Sequence, residues 1–421
     1  MKRRFTFFIS ALPILIHYNF YAQPVISKLP LADSLYKEGQ FEDAKAVYSE
    51  VISEDPGNYK ALLSSGKIAL ISNELNDAED LLMKAMNLTP DESEAKQLLA
   101  EVYYRQDEFT KAVPLLHSIG KEIFAHKLES FRNKKPYDIS DPEETIILKF
   151  VSTDPLPLMQ LCVNKSEPLY FLLDTGASEV IINSEMADKL GVVQFGSDTG
   201  TFAGGKKADS QHGFIDSLIL GQVTIKNVPV RLLHTVKFSA AAGGKKVDGI
   251  IGTVLLYHFL STIDYIKGEL ILRPKNSDLE KKFKTISSYS SMPFWMSGDH
   301  IIVTWGKVNK SNPLLFFVDT GAAGFGFLCP ASTIDAANIS LSQESLEGIG
   351  GGGKVSLVPF YCDELSLGDV NQQKVFSAFG PFPEDLEYNQ GFHIGGLISH
   401  NFFRPFSLTL DFSNMKIYLS R

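Results

Sequence analysis

The sequence is poor in cysteine, with only Cys162, Cys329 and Cys362 among its 421 residues. Three cysteines cannot build a disulfide scaffold or a four-cysteine zinc site. The sequence also has no Cys-x-x-Cys pair and no His-Glu-x-x-His motif. We therefore expect neither a metal nor another cofactor. Cys329 and Cys362 could pair in an oxidising compartment, but Cys162 has no evident mate, so the three are left unassigned.

Dense basic runs and long apolar runs are missing as well. The 40 Lys and Arg against 49 Asp and Glu give a formal net charge of −9, which argues against binding to a nucleic-acid backbone. The apolar run Phe5–Ile16 is shorter than the ~20 residues that span a bilayer. It follows the basic Lys2–Arg4, an order typical of a secretory signal peptide, although a membrane anchor is the alternative. We expect residues 1–22 to be removed and the protein to be periplasmic or secreted, with no membrane span.

The segment from Leu31 to Ala125 repeats itself every 34 residues. Positions that keep this step are Phe41, Leu75 and Phe109; Ala44, Ala78 and Ala112; and Pro56 and Pro90. The segment resembles tetratricopeptide repeats, which are helix–turn–helix units stacked into a solenoid; the alternative is an unrelated helical bundle. The resemblance implies an inner surface that binds a protein partner or substrate. The segment holds 18 acidic and 9 basic residues, so the whole net charge belongs to it, and a basic or neutral partner is expected.

A polar segment, residues 126–144, reads as a linker, and the pattern then changes to alternating, β-branched strands, which predicts an all-β region. This region consists of two similar halves, which indicates an internal duplication. The run Pro168–Ser178 recurs at Pro313–Ala323 after 145 residues, and Gly249–Gly252 recurs at Gly396–Ser399 after 147. We call residues 145–275 the first β unit and residues 285–421 the second β unit.

Each β unit carries Asp-Thr-Gly directly after an apolar strand, at Asp174 and at Asp319. Two such carboxylates can meet across a pseudo-twofold axis, where they share one proton because both cannot ionise at close range. One carboxylate can then remove a proton from water while the other donates to a carbonyl oxygen. The Thr175 and Thr320 hydroxyls suit a hydrogen-bond lattice between the two loops.

The β region resembles a two-lobed aspartic protease of the retropepsin and pepsin kind, close to bacterial aspartyl proteases. The resemblance rests on the paired motifs, on the downstream Ile250–Gly252, and on the closing strands at Phe259–Tyr265 and Phe406–Phe412. The resemblance covers about two-thirds of the chain. It implies an all-β, bilobal domain of two homologous, barrel-like lobes behind the α-helical solenoid, in a multidomain chain. The residues carried over are the catalytic Asp174 and Asp319; the supporting Thr175, Gly176, Thr320 and Gly321; and Gly204, Gly205, Gly351 and Gly352 in hairpins that act as flaps.

One position departs from that pattern, and two other motifs have to be weighed beside it. Ser399 stands where the first β unit has Gly252, which leaves a rearranged or inert second unit open. A third Asp-Thr-Gly, at Asp198–Gly200, follows no apolar strand and is interpreted as a turn. The glycine-rich Gly348–Lys354 fits a phosphate-binding pattern, but the residues after it predict a strand rather than the helix that such a site needs.

The sequence thus predicts an exported aspartic endopeptidase that works as a monomer on peptide or protein substrates. Ala177 and Ala322 follow the two motifs and offer no hydroxyl to the carboxylates, so we expect the shared proton to be kept to a higher pH than in pepsins. The alternatives are a non-catalytic peptide-binding protein with a degenerate protease domain, and a protease that acts only on its own chain or on one delivered partner.

Overall fold

The computed structural model describes residues 28–141, 143–202, 206–275, 289–350, 353–380, 382, 384–388 and 391–421. The predicted signal peptide, residues 1–22, lies outside these ranges. The predicted flap residues Gly204, Gly205, Gly351 and Gly352 also lie outside them. Within the described ranges, no helix is long and apolar enough to cross a membrane. Cys162, Cys329 and Cys362 are all free thiols.

The described part of the chain begins with helices, three of which start 34 residues apart, at Phe41, Leu75 and Phe109. The helices are α1 (Lys28–Lys37), α2 (Phe41–Glu54), α3 (Tyr59–Ile71), α4 (Leu75–Leu88), α5 (Ser93–Arg105), α6 (Phe109–Ser118) and α7 (Glu122–Glu129). A Cβ on Gly66 of α3 would lie 2.7 Å from Leu82 Cγ of α4. The helix pair therefore crosses at a glycine, because a side chain at this position would overlap the Leu82 side chain.

The β-rich region begins inside the segment predicted as a linker, because α7 ends at Glu129 and the first strand already lies at Asp138. The strands preceding residue 276 are β1 (Asp138–Ile139), β2 (Ile146–Lys149), β3 (Leu158–Val163), β4 (Leu169–Leu173), β5 (Val180–Asn183), β6 (Val193–Phe202), β7 (Lys206–Leu220), β8 (Val223–Leu233), β9 (Gly249–Ile251), β10 (Leu260–Asp264) and β11 (Glu269–Arg273). A short helix, α8 (Thr253–Tyr257), follows β9, and two 3₁₀ turns span Ser184–Met186 and Val236–Ala242.

The second β unit repeats this order of elements. Its strands are β12 (Ser290–Ser297), β13 (Ile301–Val308), β14 (Leu314–Asp319), β15 (Phe327–Cys329), β16 (Leu346–Gly350), β17 (Gly353–Leu367), β18 (Val370–Phe379), β19 (Gly396–Ser399), β20 (Ser407–Asp411) and β21 (Lys416–Ser420). Its helices are α9 (Ala331–Ala336), α10 (Glu384–Glu387) and α11 (His400–Phe403), with a 3₁₀ turn at Gly298–His300.

The strands form two sheets. One has eight strands in the order β1-β8-β5-β9-β4-β3-β7-β6, all from the chain before residue 276. The other has thirteen strands in the order β16-β17-β18-β15-β19-β14-β13-β12-β21-β20-β10-β11-β2, so it draws on both β units. The units join where β10 pairs antiparallel with β20, and there the hydroxyls of Thr262 and Thr409 lie 2.8 Å apart.

The helices pack against both β units through buried aromatic side chains. Phe41 of α2 lies with its ring centre 5.1 Å from Trp295 and 5.0 Å from Phe392 in the second unit. At the other end, Phe131 contacts Phe109 of α6 and Phe214 of β7 at 5.2 and 5.3 Å. One continuous buried cluster contains residues of the helices and of both sheets. Part of the apolar surface of the helices is thus covered by the chain itself.

Candidate functional site

The two Asp-Thr-Gly motifs stand at the ends of equivalent strands. Asp174 follows β4, which pairs in parallel with β9, and Asp319 ends β14, which pairs in parallel with β19. The strands are apolar and largely buried, because each lies in the middle of its sheet. The Asp174 amide donates to the Ile251 carbonyl at 3.0 Å. Each carboxylate is therefore carried by a rigid, buried strand end.

The two motif loops meet through a reciprocal pair of hydrogen bonds. The Thr175 amide donates to Thr320 Oγ1, and the Thr320 amide donates to Thr175 Oγ1, both at 3.0 Å. Thr175 Oγ1 in turn donates to the Val318 carbonyl at 2.7 Å. Both threonines are buried. The lattice expected from the sequence is thus present between the loops.

The motif glycines lie directly against the opposite carboxylates. A Cβ on Gly176 would lie 2.8 Å from Asp319 Oδ1, and one on Gly321 would lie 2.0 Å from Asp174 Cγ. Each glycine amide also donates to the aspartate of its own motif, Gly176 to Asp174 Oδ1 at 2.7 Å and Gly321 to Asp319 Oδ1 at 2.9 Å. Glycine is required at both positions because a side chain would displace a carboxylate.

The carboxylate pair has raised pKa values. Burial raises the pKa of both Asp174 and Asp319 above the ordinary carboxyl range. The charge of Asp174 raises the pKa of Asp319 further, so that it lies well above its ordinary value. Hydrogen bonds donated by the backbone amides of the glycines oppose this rise in pKa only in part, since they favour the charged form of the carboxylates. The pair therefore holds a proton between its two members.

Residues at or just after the ends of β9 and β19 fix the backbones near the motif loops. Thr253 was not predicted from the sequence, yet its Oγ1 donates to the Thr175 carbonyl and its amide to the Ala177 carbonyl, both at 2.9 Å. Its only signal was its place directly after Gly252. In the second unit, Ser399 donates from Oγ to the Phe325 carbonyl. The serine therefore adds a hydrogen bond to the second loop at the position where the first unit has glycine.

The regions predicted as flaps are hairpins up to the edge of the described residues. Strands β6 and β7 pair as far as Phe202 with Lys206, and β16 and β17 as far as Gly350 with Gly353. The residues after the glycine-rich run form strand β17, so Gly348–Lys354 lacks the following helix that a phosphate site needs.

The third Asp-Thr-Gly is not a turn, as the sequence suggested, but part of β6. Asp198 pairs with Ser210 in the β6–β7 ladder, because this hairpin is longer than the strand signals indicated. Its carboxylate binds Arg231 at 2.5 Å and His212 at 2.8 Å. It therefore does not join the pair formed by Asp174 and Asp319. No group of three or more His, Cys, Asp or Glu side chains in the described part of the chain is arranged to hold a metal ion.

Residues 159–255 match the family model described as aspartyl protease. Residues 35–102 match the model described as tetratricopeptide repeat. The first match contains Asp174 and its loop, and the second contains the 34-residue step. The chain therefore combines an aspartyl protease domain with tetratricopeptide repeats.

The chain also has matches among curated proteins and solved structures. The chain is 29% identical over 91 residues to the TPR repeat-containing protein YpiA of Bacillus subtilis and 33% identical over 122 residues to sperm-associated antigen 1 of Mus musculus. These matches cover 22% and 29% of this chain, and the chain spans only 22% and 12% of the two relatives. The match to the solved structure of basic 7S globulin from soybean covers 68% of this chain and 95% of the globulin chain, with 10% sequence identity and a TM-score of 0.38. The match to conglutin gamma from lupine seeds covers 66% of this chain and 95% of the conglutin chain, with 10% sequence identity and a TM-score of 0.36.

Proposed function

We propose that the protein is an aspartic endopeptidase in which Asp174 and Asp319 are the catalytic residues. One observation carries the proposal: the two motif loops are joined by reciprocal threonine bonds, and each motif glycine lies against the opposite carboxylate. Two carboxylates so close in a buried setting share a proton, which is the state that acid–base hydrolysis requires. The aspartyl protease match over residues 159–255 supports the same reaction class.

In the proposed reaction, Asp174 acts as the base and Asp319 as the acid. Asp174 takes a proton from a water molecule, whose oxygen attacks the peptide carbonyl carbon, while Asp319 gives its proton to the carbonyl oxygen. The C–N bond of the tetrahedral intermediate then breaks: one of its two hydroxyls returns a proton to Asp319 as the C=O bond re-forms, and the departing nitrogen receives the proton held by Asp174. Thr175, Gly176, Thr320 and Gly321 keep the two carboxylates in register.

The wider architecture belongs to the proposal as well. The two β units form two lobes of the retropepsin and pepsin kind, as in bacterial aspartyl proteases, with an extended substrate paired to the hairpins β6–β7 and β16–β17 as an added strand. One chain carries both motifs, so a monomer suffices. The protein is exported, and the exposed acidic surface of the helices docks a basic or neutral partner or substrate. The excess of 18 acidic over 9 basic residues in this segment supports that docking.

Substitution of the two aspartates tests the proposal. Asp174→Asn and Asp319→Asn should each lower the cleavage of denatured casein or a peptide library at least a thousandfold, because the acid or the base is lost. A statine-type inhibitor should block the wild type. Asp216→Asn is the matched control, since Asp216 is an exposed aspartate of β7 outside both Asp-Thr-Gly loops, and this variant should remain active. Activity that survives in both motif variants would overturn the assignment.

A non-catalytic binding protein with a degenerate protease domain is the second candidate, supported by the tetratricopeptide-repeat match over residues 35–102. It predicts that the wild type and both asparagine variants bind a peptide equally and cleave none. The endopeptidase is preferred because both Asp-Thr-Gly loops are intact.

A further inference from the structure

A buried ion pair joins the helical segment to the first β unit. Lys127 Nζ of α7 lies 2.7 and 2.6 Å from the two carboxylate oxygens of Glu179, and the side chains are 0% and 6% exposed. The Tyr104 hydroxyl of α5 donates to Glu179 Oε1 at 2.6 Å. Two neighbouring helices therefore bind one carboxylate.

Glu179 is the last residue of the loop that carries Asp174. We call residues 174–179 the first motif loop and residues 319–324 the second motif loop. A Cβ on Gly252 would lie 2.2 and 2.5 Å from the Ser178 and Glu179 carbonyl oxygens, so the backbone beside Glu179 is closely packed. A shift of Glu179 would thus be transmitted along the few residues that separate it from the catalytic carboxylate.

The second motif loop has no such connection. The 145-residue step that aligns Asp174 with Asp319 aligns Glu179 with Gly324. Gly324 has a positive φ of +92°, and nothing lies within 4 Å of where its Cβ would be. The buried carboxylate therefore belongs to one loop alone, and it is the loop that faces α5 and α7.

Both members of the pair are charged at neutral pH. Burial alone would raise the pKa of Glu179, but Lys127 and Arg231 lower it to about 2. Burial lowers the pKa of Lys127 to about 8, against the opposing effect of the Glu179 charge. Buried ion pairs add little net stability compared with apolar side chains of similar size. Because the aromatic contacts of Phe131 already join helices and sheet here, fold stability alone does not account for the pair.

We propose that Lys127, Tyr104 and Glu179 are positioning residues through which the helical segment holds the first motif loop and sets the orientation of Asp174 towards Asp319. The helices then act on the catalytic site of their own chain, in addition to any docking. This inference rests on the proposed function for its effect on hydrolysis, but not for its effect on the loop.

Amide hydrogen exchange in the full chain tests the inference, with the second motif loop as an internal control. Lys127→Met removes the cation, and Lys127→Met/Glu179→Leu removes both charges, so that the second variant folds without a lone buried ion. Exchange of the first motif loop should accelerate at least tenfold in both, and that of the second should not change. The kcat of peptide hydrolysis should fall at least tenfold with little change in KM, and Lys127→Arg should restore most of both.

The matched control is Asp107→Asn. Asp107 makes another contact from the helices to the first β unit, with His258 at 3.1 Å, but it does not touch either motif loop. This variant should leave the exchange of the first motif loop and kcat unchanged. Unchanged exchange of that loop in the folded double variant would overturn the inference, and so would faster exchange with an unchanged kcat. If the wild type cleaves no peptide but exchange of the first motif loop is faster in the Lys127 and Glu179 variants, the proposed function is wrong, whereas the connection between the helices and the loop is supported.

Discussion

At the scale of single residues, the chemistry depends on what surrounds the two carboxylates. The reciprocal bonds of Thr175 and Thr320 hold the loops, and the glycines beside them leave room for the pair. The residues that follow the motif glycines, Ala177 and Ala322, have no side-chain donor to offer. The carboxylates consequently receive bonds from the backbone alone within their own loops, and burial keeps their pKa values high.

The pH dependence of hydrolysis should follow from this setting. In the proposed reaction the active state carries one shared proton, so activity should rise as the first proton leaves the pair and fall as the second leaves. Raised pKa values move this window upwards, and the optimum should lie well above pH 2. Ala177→Ser and Ala322→Ser add a donor that favours the ionised carboxylate, so the profile should move to lower pH by about one unit. An unmoved or upward-moved pH–rate profile would contradict this.

At the scale of elements, the ends of β9 and β19 differ at one equivalent position, which is Gly252 in the first β unit and Ser399 in the second. Gly252 has backbone oxygens where a Cβ would be, whereas Ser399 keeps its Cβ and uses its hydroxyl. The sequence showed only that the two residues differ. Which of them tolerates a side chain depends on the path of the neighbouring loop, and that path is set by long-range packing.

Substitutions at these two positions should therefore have unequal effects on kcat. Gly252→Ala forces the first motif loop away from its position, because the Cβ would lie 2.2 Å from the Ser178 carbonyl oxygen. Displacements of about 1 Å can cost roughly a hundredfold in rate, so kcat should fall by about that factor. Ser399→Gly, the matched control, loses one hydrogen bond worth about 1 kcal/mol and should keep most of its kcat. Equal kcat values for the two variants would contradict the asymmetry.

Much of the element order could be predicted from the sequence, because local patterns carry it. The 34-residue step predicted repeated helix pairs, and the repeated positions Phe41, Leu75 and Phe109 each begin a helix. The duplicated motifs predicted that the ends of two strands meet. The strand through Asp198 was missed because a ladder partner, rather than local composition, makes it a strand. The docking of the helices onto the sheets was missed too, since an apolar helix face does not reveal what covers it.

At the scale of the whole molecule, helices and sheets share buried clusters of apolar side chains, and Phe41 belongs to the cluster that joins the first helices to the second β unit. Phe41 is 1% exposed and lies between Trp295 and Phe392 of the second β unit. Because this packing joins helices and sheets, we expect the two to unfold in one transition, so that a destabilising change in the helices lowers the stability of the sheets as well.

Phe41→Ala should consequently destabilise the entire chain. Replacing a buried phenylalanine with alanine costs about 3–5 kcal/mol, and near-ultraviolet circular dichroism and intrinsic fluorescence should report the same lowered denaturation midpoint. Leu88→Ala provides the control, because Leu88 is 47% exposed and its loss should move the midpoint very little. Two separate transitions, with only the first one shifted, would show that the helices unfold alone.

The pairing of β10 with β20 has a consequence for how the site behaves in dilute solution. The strands come from different β units, and Thr262 and Thr409 meet across their ladder. Where two separate subunits supply such strands, the fraction assembled falls as the protein is diluted. Here the chain itself keeps one strand in the neighbourhood of the other, at an effective concentration that dilution does not change. The alignment of Asp174 with Asp319 is for this reason a property of each single molecule.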